Sequence, residues 1–170
     1  GSSGNSGGYT TGSNVLPATQ NNTETPPIPP TSTTSTASAV NHIVISEIQV
    51  SGADVGDEFI ELYNPTVNAV DMSGWSIQYV SGTATEISSS TVSKKNFLAT
   101  STISAKSFFL IARNKNASGT DGYTGTAPAD MSHRTLSLSG NSSGAKIFLV
   151  SNQDEIDSGS DLDIVDMLDY

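Results

Sequence analysis

The chain has 170 residues, no cysteine, and 17 Asp and Glu against seven Lys and Arg, for a formal net charge of −10. That length allows one ordinary domain with residues to spare. The charge repels phosphate backbones and anionic lipid, the missing thiols exclude disulfides and thiolate metal sites, and no apolar run approaches eighteen residues, so neither nucleic-acid binding nor membrane insertion is expected.

Residues 1–41 hold almost no apolar side chains beyond Tyr9, Val15, Leu16, Ile28 and Val40. Such a segment buries too little surface to offset the entropy of ordering it, and it reads as a Ser/Thr/Pro/Gly-rich tail or linker. Its "TETPPIPP" favours extended polyproline II, and "TSTTSTASA" is a spacer of the kind that holds a domain away from a surface. Together with the absence of cysteine, this points to an extracellular or cell-surface protein. The missing initiator Met and signal peptide suggest a processed or excised chain.

From His42 to Tyr170 the composition changes, and every acid but Glu24 lies there. In chain order, 42–50, 58–64, 75–80, 107–112, 146–151 and 162–170 are short apolar runs rich in Ile, Val, Phe and Tyr, bounded by Gly, Asn, Asp or Ser. Weaker candidates occupy 85–92 and 134–139. No window carries a helical stripe. The pattern predicts an all-β, antiparallel β-sandwich with a long extended N-terminal tail. Trp75, Ile60, Leu62 and Leu110 are its expected core positions, with Phe59, Tyr79, Phe108, Phe109 and Phe148 supplying further bulk.

The acids of "DEFIELYNP" (57–65) pose the question of chemistry against architecture. In a strand Ile60 and Leu62 share one face, while Phe59, Glu61 and Tyr63 share the other. Glu58 falls on the Ile60 side, but at the strand's beginning, where leaning into solvent is expected. Glu47 alternates against Ser46 and Ile48. An unpaired buried carboxylate is too costly, and neither His nor a third acid has ligand spacing with Glu47 and Glu61, so architecture is the better reading.

Other motifs are weighed the same way. "GNSSG" (140–144) matches a nucleophile elbow, but a strand follows it where a helix is required, so a turn is expected. His42 and His133, the only histidines, lack metal spacing. Among the acids of 154–169, Asp157, Asp161 and Asp163 form a calcium candidate beside the simpler reading of a solvated loop. No other cofactor is expected. Asn21, Asn116 and Asn141 open glycosylation sequons. Tyr123 is the one aromatic expected on the domain surface, which favours a structural role over a binding role.

The segments "HIVISEIQV" (42–50), "DEFIELYNPTVNAVDMSGWSIQ" (57–78), "ISAKSFFLIARN" (103–114), "LSLSGNSSGAKIFLV" (136–150) and "IVDMLDY" (164–170) resemble the lamin tail domain family in its prokaryotic form. The resemblance spans nearly all of 42–170, departing at the long polar stretch 112–139. It implies an immunoglobulin-like sandwich without chemistry of its own, used as an accessory or surface module in secreted proteins and for binding in nuclear lamins. Two functions follow as expectations. One is a non-enzymatic subunit of a filament or surface assembly, joined to copies of itself by β-strand addition of its tail, with Val15 and Leu16 as anchors. The other is an accessory module that binds surface carbohydrate or protein.

Overall fold

The structure, a computed structural model, describes residues 40–54, 56–138, 140 and 142–170. The strands are β1 (Val44–Gln49), β2 (Phe59–Tyr63), β3 (Val70–Asp71), β4 (Ser76–Ser81), β5 (Val92–Asn96), β6 (Thr102–Ile103), β7 (Phe108–Ala112), β8 (Met131–Ser132), β9 (Ala145–Val150) and β10 (Ile164–Asp169). They form two four-stranded sheets, ordered β1-β2-β7-β8 and β10-β9-β4-β5, plus a ribbon of β3 and β6. The all-β sandwich is thus as expected. Its pairings are antiparallel except for β7 with β8, which run parallel.

Both weaker strand candidates are corrected. Residues 85–91 are bends and turns, and β5 begins only at Val92. Residues 134–138 contain no strand, although Leu136 and Leu138 are buried as irregular chain.

Alternation explains the core. Ile60 and Leu62 are fully buried and pack with Ile43, Ile77, Phe109, Ile111, Ile147 and Leu149. Phe148 and Val150 point to the opposite face of β9 and form a second cluster with Val80 and Ile156. Leu110 does not hold the core position expected of it. Phe109 and Ile111 take the inward sites of β7, and Leu110 is half-buried opposite Glu61 on the outer face. Trp75 stands just before β4, half-buried, and packs against the main core rather than within it.

The outermost strands are irregular in a complementary way. The β1–β2 register shifts between Ile45 and Glu47, and the β10–β9 register shifts between Ile164 and Asp166. Strict alternation after Ile45 would turn Glu47 inward; the bulge leaves Ser46 and Glu47 both exposed, avoiding a buried carboxylate. Asp166 in turn accepts the backbone N–H of Ile45 at 2.7 Å, so a side chain of β10 caps a donor of β1. This blunts an edge that could otherwise pair with a foreign strand.

Across the outer side of the second sheet, the acidic loop after β9 is fastened by two buried polar residues. Gln78 Nε2 donates to Asp154 O at 2.6 Å, Gln78 Oε1 accepts from Ile156 N–H at 3.0 Å, and Ser76 Oγ donates to Asn152 O at 2.8 Å. Ile156 is thereby held over Phe148 and Val150. Gln78→Leu strands a buried N–H and a carbonyl, so it is expected to cost about 1–3 kcal/mol. Urea melts measure that loss, and faster hydrogen exchange at the Ile156 amide locates it.

Candidate functional site

The stretch before β2 is a buried charge cluster. Asp57 and Glu58 are both buried. Asp57 accepts Thr124 Oγ1–H at 2.7 Å, Thr124 N–H at 2.8 Å and Ala53 N–H at 3.1 Å. Burial opposes its ionisation, but these bonds, the Thr124 hydroxyl first among them, outweigh it and hold the carboxyl below its usual range. Glu58 goes the other way. Burial pushes its carboxyl up, only partly offset by the Leu138 N–H at 3.1 Å and by Arg113, whose Nη1 lies 3.6 Å from Oε1.

Arg113, at the end of β7, connects this cluster to the following loop. Its Nη2 lies 3.2 Å from Asp121, which Arg134 also engages at 2.6 Å. A Cβ on Gly56 would overlap Asp121 Oδ1 and come within 2.9 Å of Arg113 Nε, so a larger residue there would displace this pair. The expectation that Glu58 leans into solvent is therefore corrected. It faces the core side, as alternation placed it, and partners from the 113–138 stretch make that position tolerable. With each carboxylate committed to fixed donors, the cluster holds loops together.

Asn64 closes the same stretch in the same manner. Fully buried, it donates to Asn68 O at 2.8 Å and Ser104 O at 3.0 Å, and it accepts Thr66 N–H at 2.9 Å. Sequence reasoning assigned no role to Asn64, Ser76 or Gln78. The available signal was a polar side chain within or directly bounding an apolar run.

The outer face of the first sheet has a different character. Cross-strand register places Val44, Tyr63 and Phe108 in one row, Glu47, Glu61 and Leu110 in the next, and Gln49, Phe59 and Ala112 in a third. Phe108 is 59% exposed, and its ring lies 4.8 Å from that of Tyr63. Tyr123, expected as the exposed aromatic, is instead half-buried and meets Phe59 edge-on at 5.8 Å. Glu47 and Glu61 stand directly opposite each other, with Ser46 Oγ donating to Glu61 Oε1 at 2.8 Å. Like charges so placed repel, and neither takes part in an ion pair found among the described residues.

The remaining sequence candidates are dispersed. Asp157 is exposed, Asp161 Oδ1 accepts Asp163 N–H, and Asp163 Oδ2 accepts from Asn152. Among the described residues no group of three or more His, Asp or Glu side chains could hold a metal ion. Asp157, Asp161 and Asp163 are thus not brought together as a metal-holding group, and two of these carboxylates accept bonds within the loop. Asn116 bonds within its own turn, to Ser118 N–H and to Thr120. Val15, Leu16, Asn21 and Asn141 lie outside the described residues. Gly144 adopts φ +64° immediately before β9, so the Gly-x-Ser-x-Gly match leads into a strand as expected. His42 is exposed ahead of β1, whereas burial lowers the pKa of half-buried His133, whose Nε2 lies 3.3 Å from Asn96 O. An open cleft of about 250 Å³ beside Val80, Ala84 and Ile87 contains Lys146 and Asp169, which pair with each other.

A family model described as Lamin Tail Domain matches residues 36–163. The chain belongs to the lamin tail domain family. The family's immunoglobulin-like sandwich is the fold described above, and such a domain is a structural or binding module. A search of curated proteins finds no match. The lamin tail domain match includes the Asp57–Glu58 cluster, Asn64, Gln78 and the aromatic face, and it stops one residue short of β10. In this lamin tail domain, then, the buried polar residues tether loops to the sheets.

Proposed function

We propose that this lamin tail domain is a non-enzymatic structural unit acting outside the cell or on its surface, joined to further copies through its N-terminal segment. The observation that supports this reading best is the state of the sheet edges. Asp166 caps a donor of β1, and β8 is only two residues long. β5, five residues long, pairs with β4 alone. Main-chain addition of a neighbour's strand requires such an edge. Lys95 on β5 guards it against indiscriminate pairing, Lys94 being engaged with Glu155, and the 1–41 segment brings a single charge, Glu24, of opposite sign. A head-to-tail contact of this kind does not close on itself and builds a filament.

Deleting residues 1–40 is expected to leave a folded monomer that cannot polymerise, and Val15→Ser with Leu16→Ser is expected to weaken assembly. Sedimentation and negative-stain images read both, and intact mass reads any glycan at Asn21, Asn116 or Asn141. Unchanged assembly after the deletion would sink this proposal.

A second reading, an accessory module that binds surface protein or carbohydrate, is favoured by the exposed Phe108 and its neighbours Tyr63 and Leu110. An apolar patch set among polar residues marks interaction surfaces.

A further inference from the structure

We infer that the outer face of β1, β2 and β7 docks a protein segment that carries both apolar and cationic side chains. This rests on the binding reading and names the chemistry of its partner. Two features of one surface point there together.

The first is apolar. Tyr63, Phe108 and Leu110 are neighbours across β2 and β7, and Phe108 is an exposed residue. Rigid aromatics of this sort anchor interfaces at low entropic cost. The second is electrostatic. Glu47 and Glu61 lie side by side in the adjoining row, with Asp130 exposed beyond Leu110, where its Oδ2 accepts the Leu110 N–H. Like charges directly opposite across strands disfavour each other, and the β1 bulge is what turns Glu47 outward to face Glu61. A cation brought against Leu110 relieves that repulsion, while the side chain next to it on the partner covers Phe108. Charge complementarity therefore selects a basic segment over an acidic one or a neutral glycan. It also excludes this chain's own residues 1–39, which contain no Lys or Arg.

The test titrates the full chain with a peptide of alternating Lys and Leu long enough to cross the three rows. An alternating Glu and Leu peptide and cellohexaose serve as comparison probes, with calorimetry and the Leu110 methyl signals as readouts. Binding of the Lys peptide alone is expected, weakening as salt is added. Phe108→Ser, and separately Glu47→Gln with Glu61→Gln, should each weaken it about tenfold, equivalent to the loss of one anchoring contact. Asp157→Asn with Asp161→Asn removes as much charge far from the face and should leave affinity unchanged. Equal loss in that remote variant would reduce the effect to net-charge attraction and overturn the inference. So would cellohexaose perturbing Leu110, self-association abolished by Phe108→Ser, or no binding of any probe. Assembly through residues 1–40 is read separately by the deletion variant, and of these results only self-association abolished by Phe108→Ser would bear on both proposals.

Discussion

Arg113→Met is expected to destabilise the domain by about 3–5 kcal/mol at neutral pH, the usual consequence of leaving a buried charge without its partner. Glu58 is only 3% exposed, and without Arg113 the Leu138 N–H is its one remaining donor among the described residues. Asp121 loses less, because Arg134 still engages it at 2.6 Å. The damage therefore concentrates on Glu58, whose carboxyl burial already pushes up and which rises further in the variant.

The pH dependence follows from that direction. A raised folded-state pKa gives a stabilising contribution that is fully present below the unfolded value and is lost as pH rises through the folded value. The deficit of Arg113→Met should accordingly be greatest at neutral pH and shrink in acid as Glu58 takes up its proton. Asp57 has the opposite sign, since its lowered pKa makes its contribution vanish as pH falls through the folded value, but it is common to both proteins and cancels in their difference. Urea melts at neutral and acidic pH measure the effect, and adding Glu58→Gln should recover part of the loss. A neutral-pH deficit under about 1 kcal/mol would mean that the pair behaves like a solvated surface pair.

The sandwich was legible wherever polar and apolar residues alternate. "EFIELYN" (58–64) placed Ile60 and Leu62 together correctly because Glu61 and Tyr63 separate them on the opposite face. β3, β6 and β8 were not legible, since two residues carry no period, and β5 hides in "VSKKN", which has one apolar residue. The buried cluster escaped for another reason. Glu58 and Glu61 are the same residue three positions apart, and what separates their fates is Arg113 and Leu138, supplied by a stretch without periodicity. The outer face escaped because a strand pattern does not say whether a second layer covers its other side. Here Phe108 stays 59% exposed beside Tyr63, whereas Ile156 is strapped over Phe148.

Leu110 shows the limit most sharply, and it carries the last prediction. In "FFLIA" every residue is apolar, so alternation alone does not decide which side faces in. The partner strands decide it. Ile111 lies opposite Ile60 and Met131, all fully or nearly fully buried, whereas Leu110 lies opposite Glu61. Ile111→Ala should therefore cost about 2–5 kcal/mol through lost burial and a residual cavity. Leu110→Ala should cost roughly 1 kcal/mol, in keeping with partial burial of its methyl groups. Parallel urea melts of the two variants give the comparison. The reverse order would put β7 out of register by one residue and turn Leu110 and Phe108 into the core. Leu110 would then lie opposite Ile60 or Leu62 in place of Glu61, and Phe109 and Ile111 would turn outward, erasing the docking face. The pair of alanine variants thus tests the register on which that face depends.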